Sequence, residues 1–195
     1  MSQTLVARVE GKTLPRLREA ARHLFVSRGY HETRPQDIAR QAGVANGTFY
    51  LHFADKQAAF LDFAEQAQNE LIDLFRERLQ DLTGSRDRWW TVCAALLDFG
   101  ESHRGVLQAA FIDPVFIAPN NEDAWRMYDR LGQLVEAAVL EVEADYDNQL
   151  ISHGLCGFLR HAMIYASRRE MDKERLLDNI SLFIDRGLSS QGGTR

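Results

Sequence analysis

The chain has 195 residues, 45% hydrophobic and 26% charged, with two cysteines. This is ordinary globular composition and excludes a collagen-like or disulfide-stapled chain. No stretch approaches the roughly 18 uncharged apolar residues of a membrane span, and the N-terminus has no apolar signal region, so a soluble cytoplasmic protein is expected. The net charge of −5 hides a polarity: residues 1–56 carry nine Lys/Arg against five acids, and the remainder 14 against 23. A basic module before an acidic body suits a polyanionic partner at one end only.

Only four prolines interrupt the chain, apolar residues recur at spacings of three and four, and no period-two run or internal repeat stands out. The pattern predicts an all-α protein. A first helix is expected from a Thr13 cap, with Pro15 in its first turn, to a stop at Gly29. A second is expected from Pro35 to about Ala42, ended by Gly43, and a third from Asn46 or Gly47. Asn46-Gly47 also fits a hairpin turn, but no alternating strand flanks it. A fourth helix, capped by Asp55, is expected to run to about Leu82, with a break at Thr83-Gly84-Ser85. Further helices are expected over 86–102, 104–112, 122–144, 148–169 and 173–188, with a loop around Pro114, Pro119 and Asn121 and a frayed tail at 189–195. The last two helices should form an antiparallel hairpin.

Residues 35–53, PQDIARQAGVANGTFYLHF, have the spacing of a helix-turn-helix. Two short helices crossing steeply need a small residue at the crossing, Ala39, and a turn that admits positive φ, Gly43. Ile38, Ala42, Val44 and Phe49 would then face the first helix, leaving Asn46, Gly47, Thr48, Tyr50, Leu51 and His52 for a DNA groove. Phe25, Gly29, Thr33, Ile38, Ala39, Ala42, Gly43, Val44, Gly47, Thr48, Phe49, Tyr50, His52, Phe53 and Lys56 stand in order at the positions of a known pattern. On these residues the sequence resembles the TetR/AcrR family of bacterial one-component regulators.

The resemblance implies a three-helix DNA-binding domain at 1–56, an effector-binding and dimerisation domain at 57–188, and a homodimer whose recognition helices enter the major groove of operator DNA. Thr33 would offer a hydroxyl and an N–H near the start of the second helix, and Arg34 adds charge where the family often has a small cap. Thr48, Tyr50, His52 and Lys56 would contact phosphates. Asn46 suits adenine, Thr48 or Leu51 a thymine methyl, and Gly47 a close backbone approach. Arg8, Lys12 and Arg16 could form an arm towards the neighbouring groove, or a solvated leader.

In the body, Trp89, Phe99, His103, Phe111, Phe116, Trp125, Tyr128, Phe158, His161 and Tyr165 are candidates for a small, largely apolar effector, although aromatics at helical spacing also serve as ordinary core. Gly154, Gly157, Phe158 and Ala162, with Leu177, Ile180, Phe183 and Ile184, are candidates for the dimer interface. Effector binding is expected to shift the helix from Lys56 and so respace the two reading heads, releasing a repressor.

Enzyme signatures are weak. Gly11-Lys12-Thr13 has Val6 where a phosphate-binding loop needs glycine, Gly100-Glu101-Ser102 lacks the nucleophile-elbow setting, and His31-Glu32 lacks a second zinc histidine. No cofactor or metal is expected. Cys93 and Cys156 are expected to be reduced core thiols, since no basic neighbour favours redox sensing.

Overall fold

Leu17, Ala20, Ala21, Leu24 and Phe25 recur at helical spacing and each is at most 4% exposed, so the face that the first helix buries fixes its place. The computed structural model describes residues 2–82, 85–112, 122–139 and 147–188, with side chains at 12–82, 87–111, 122, 125–136 and 147–187. Its first helix, α1, spans Ser2–Glu32 with a kink at Gly29 (φ 80°, ψ 170°). Thr13 is therefore not its cap. It lies inside the helix with its side chain buried, and Pro15 is also internal. A proline there cannot donate the backbone hydrogen bond of its position.

Helix α2 spans Pro35–Gln41, with Pro35 in its first turn, and Gly43 (φ 65°) turns the chain into α3, Asn46–Tyr50. A left-handed residue costs an L side chain about 1–2 kcal/mol, which is why glycine stands at this turn. Helix α4 spans Lys56–Leu79, and the Ala58 N–H donates to Asp55 Oδ1 at 2.8 Å, the expected cap. It ends three residues before the expected Leu82.

Helix α5 spans Ser85–Ser102, and a short π-helical turn, π1, occupies Gln108–Ile112 inside the segment expected to be an α-helix over 104–112. Helix α6 spans Glu122–Val139, α7 Asn148–Arg168 and α8 Lys173–Leu188. Asp147 caps α7 by accepting from the Leu150 N–H at 3.1 Å. Glu170 (φ 49°) makes the short turn into α8, which packs on α7. No strand occurs among the described residues. The Pro114–Asn121 loop, Phe116, the end of the helix expected to reach 144, the Thr83-Gly84 break and the 189–195 tail lie outside them.

The chain divides into two compact units, Met1–Ala67 with His103–Pro119, and Gln68–Ser102 with Asn120–Arg195. Residues of α4 as far as Ala67 group with the first unit. Ala59, Phe60, Phe63 and Ala64 on α4 are buried, and Phe60 and Phe63 meet Phe25 at ring separations of 5.1 and 5.8 Å, so the first turns of α4 complete the N-terminal core. Arg18 on α1 also donates two hydrogen bonds to Asp62 on α4, at 3.0 and 2.6 Å. That pairing raises the arginine above its ordinary pKa.

In the C-terminal unit, Phe75, Trp89, Val92, Ala95, Phe99, Leu155, Leu159, Leu176, Leu177, Ile180 and Ile184 are buried. Asp98 on α5 ties three helices together, accepting from Arg78 on α4 at 2.5 Å and from Lys173 on α8. Lys173 first, then Arg78, hold its carboxylate below the ordinary aspartate range.

Candidate functional site

A DNA-reading helix must be short, exposed and held at a fixed angle, and the sequence supplies the hold through one residue. Phe49 is 0% exposed and packs against Tyr50 and Phe53 at ring separations of 5.2 and 5.5 Å. Ile38, Ala39 and Ala42 are buried beside α1, as the spacing predicts, and Val44 is half-buried. The Val44 N–H closes the turn on the Ala39 carbonyl at 2.9 Å.

With Phe49 pointing inward, Asn46, Gly47, Tyr50 and Leu51 are exposed, Leu51 to 82%, while Thr48 and His52 are half-buried. A β-carbon added at Gly47 would meet nothing within 4 Å, so the backbone itself is open to a close approach. The exposed set offers a carboxamide, a phenol and an apolar side chain, which together can hydrogen-bond base edges or phosphates and contact a methyl group. Arg34 is exposed in extended conformation before α2, and its side chain makes no capping hydrogen bond.

Three polar residues have structural partners that the sequence does not reveal. Thr33 is 0% exposed, and its hydroxyl donates to the Gly29 carbonyl at 2.8 Å and to Leu24 at 3.3 Å. Its N–H donates to Tyr30 at 3.3 Å. Both donors are thus taken up by carbonyls of α1. Lys56 donates from Nζ to the Tyr30 carbonyl at 2.8 Å and to His31 at 3.4 Å, and its ammonium sits 4.1 Å from the Tyr30 ring centroid. It thereby clasps the end of α1. Burial, and then Asp55, push the Tyr30 phenol above its ordinary pKa. Arg16 is not part of an arm, because Nη2 donates to the Gly43 carbonyl at 3.2 Å. Lys12 is exposed, and the Arg8 side chain lies outside the described residues.

Residues 17–62 match the family model for bacterial regulatory proteins of the tetR family, from the first buried leucine of α1 to the Asp62 partner of Arg18. Over these residues the chain is similar to the tetR family. The HTH-type transcriptional activator FasR of Mycolicibacterium smegmatis is 34% identical over 97 residues, covering 47% of this chain and 44% of FasR. The fatty acid metabolism regulator protein of Bacillus subtilis is 29% identical over 70 residues, covering 36% of each. The chain thus spans less than half the length of these curated relatives. Among solved structures, FadR from Bacillus subtilis in complex with stearoyl-CoA shares the fold, with a TM-score of 0.67 at 16% identity over 90% of this chain and 98% of that one.

The nine described effector candidates fall in both units. Trp89 and Phe99 are core residues of the C-terminal unit, and Trp89 Nε1 is buried with no hydrogen-bond partner among the described residues. Trp125, His161 and Tyr165 are exposed, and Trp125 packs edge-on against half-buried Tyr128. His161 contacts the Gly157 carbonyl of its own helix at 3.3 Å. Phe158 stacks on Phe183 at 4.8 Å, and His103 and Phe111 belong to the N-terminal unit. An open groove of about 560 Å³ lies elsewhere in the C-terminal unit, lined by residues of α4, α5 and α6 that include none of the nine.

The dimer candidates also separate by face. Leu177, Ile180 and Ile184 are buried in the chain's own core, because α8 packs its apolar stripe on α5. Gly154, Gly157 and Phe183 are exposed, Phe183 to 61%, with Phe158 and Ala162 half-buried beside them. Leu150, Tyr165 and Leu182 are also exposed large apolar residues of these two helices, and helical spacing alone did not distinguish them from core. Burial raises the Cys93 thiol to about 12 and the Cys156 thiol to about 11, so neither is a thiolate at neutral pH. Among the described residues no three His, Cys, Asp or Glu side chains cluster for a metal, and no helix is long and apolar enough to cross a membrane.

Proposed function

We propose that the chain is a DNA-binding transcriptional regulator, a cytoplasmic homodimeric repressor released from its operator by a small, largely apolar effector. The observation that carries the DNA-binding reading is the exposed face of Asn46, Gly47, Tyr50 and Leu51 on a short helix locked by buried Phe49. In this reading Asn46, Gly47 and Leu51 meet base edges, while Arg34, Thr48, Tyr50 and His52 meet the backbone; Thr33 and Lys56 position the helices that carry them.

A lipophilic effector is supported by the relative named for fatty acid metabolism and by the neighbour solved with stearoyl-CoA. Dimerisation is supported by the exposed apolar face of α7 and α8, where Phe183, Tyr165 and Leu150 would otherwise remain wet. Release works through geometry. Half-sites on one face of DNA lie about 34–36 Å apart or a multiple of it, so a displacement of α4 that respaces two heads loses both contacts together. The match to an activator, FasR, favours a second reading in which the same protein promotes transcription.

The test is fluorescence anisotropy of the purified protein on DNA from upstream of its own gene, over a salt series and beside a scrambled duplex. Preferential binding supports the reading, and absence of binding even at low salt overturns it. A reporter transcribed from the same DNA then separates repressor from activator.

A further inference from the structure

The C-terminal unit belongs to the acidic body of the chain, yet its groove has the opposite character. Nine residues line about 560 Å³: Ile72, Phe75, Leu79 and Leu134 are apolar, Arg76, Arg88 and Arg130 are cationic, and Gln80 and Gln133 are neutral. Among the described residues no carboxylate lines it. The apolar residues of α4 recur at three, four and seven, so they form one wall, and Leu134 follows Arg130 by one turn of α6. The guanidinium groups are anchored by neighbours: Arg76 pairs with Asp73 at 3.2 Å, Arg88 donates to the Leu82 carbonyl at 2.8 Å, and Arg130 donates to the Asn69 carboxamide.

We infer that this groove binds an anionic amphiphile, with its hydrocarbon chain along Ile72, Phe75, Leu79 and Leu134 and its acidic head among Arg76, Arg88 and Arg130. The volume falls within the roughly 300–1,000 Å³ of small-molecule sites. Guanidinium forks match carboxylate and phosphate oxygens, whereas a neutral or cationic head of the same chain length gains nothing from them. The inference rests on the effector reading above only for its consequence: occupancy of this groove is what would alter operator affinity. It also makes the effector's head charged, where the sequence reading has the effector only largely apolar.

Isothermal titration of the full chain with laurate, dodecyl phosphate, dodecyl maltoside and dodecyltrimethylammonium, each kept below its micelle concentration, tests the site without DNA. The expected result is at least tenfold tighter binding of an anionic probe than of the neutral and cationic ones. Laurate against dodecyl phosphate tells whether the preferred head is a carboxylate or a phosphate. Arg76→Gln with Arg130→Gln should remove that preference at least tenfold while leaving dodecyl maltoside binding unchanged, and circular dichroism checks that the variant is folded. Should that pair misfold, Arg76→Gln alone, at an exposed position, retains the test with a threefold or greater loss expected. Equal affinity for all four probes, no binding of either anion, or anion binding indifferent to the arginines each overturns the inference. Anion binding that depends on the arginines but leaves operator anisotropy unchanged keeps the site and overturns its role as effector site. Failure of the unliganded protein to bind DNA overturns the regulator reading and leaves the groove standing.

Discussion

Side-chain bonds fix the junctions of the N-terminal unit one by one: Arg16 holds the Gly43 turn, Thr33 the kink of α1, Lys56 the end of α1, and Arg18 the first turns of α4. The C-terminal unit is held mainly by apolar stripes, with Asp98 and its two cations as a knot across α4, α5 and α8. The difference follows from what each must do. Aiming a five-residue helix at DNA tolerates little error, so particular residues are required at particular positions. A helical body can exchange one apolar side chain for another if volume and pattern are kept. The family match accordingly covers residues 17–62 and no more.

The largest effect should come from removing the pin itself. Phe49→Ala leaves a hole at a fully buried site and should cost about 3–5 kcal/mol. Urea unfolding followed by circular dichroism should show the N-terminal unit melting early; a loss below about 1 kcal/mol would mean that α3 is held by something else. Next is Gly43→Ala, at φ 65° and with the new β-carbon 2.7 Å from Arg16 Nη2. A cost of about 1–2 kcal/mol is expected, read as a lowered Tm together with weaker DNA binding.

Tyr50→Ala and Leu51→Ala sharpen the contrast from the other side. Each should leave stability within about 0.5 kcal/mol and lower operator affinity about tenfold, through a lost backbone contact for Tyr50 and a lost base contact for Leu51. Anisotropy measures the second quantity and thermal melting the first; unchanged affinity in both variants would remove α3 from the interface. The smallest effect concerns the knot. Lys173 and Arg78 depress the Asp98 carboxylate, so its stabilising contribution is complete above the ordinary aspartate value of about 3.9 and fades as pH falls through it towards the lower folded value. All three side chains are about a third exposed, so screening holds the contribution to less than about 1 kcal/mol. Asp98→Asn should flatten stability against pH below about 4 and cost little at pH 7.

Helices α2 and α3 were legible because Pro35, Gly43 and Phe49 each have one physical reason to stand where they do. The start of α1 was not, because a threonine before a proline reads as a cap even when the helix already runs through it. At the site, exposure of Asn46, Gly47, Tyr50 and Leu51 followed from the burial of Phe49 by helical geometry. The partners of Thr33 and Lys56 were not legible for one shared reason: a sequence shows that a side chain is a donor, but only the fold shows which carbonyl receives it. In the body, period-3.6 patterning marks Ile180 and Phe183 alike as apolar, and only the packing of α8 on α5 buries the first and exposes the second. The groove escaped notice because its wall and first cation on α4 and its other cations on α5 and α6 are distant in the chain and share no motif.

The two attachments of α4 to α1 have a mechanical consequence. Lys56 and Asp62 are six residues apart, roughly 9 Å along the helix axis, and each grips α1, the first through carbonyls at its end and the second through Arg18. A beam pinned at one point pivots, whereas a beam pinned at two carries a bending moment into its support. The beginning of α4 therefore cannot swivel on α1, and any torque applied there turns the whole reading head as a solid body. Loosening either pin would blur the aim of α3 without altering a single side chain that faces DNA.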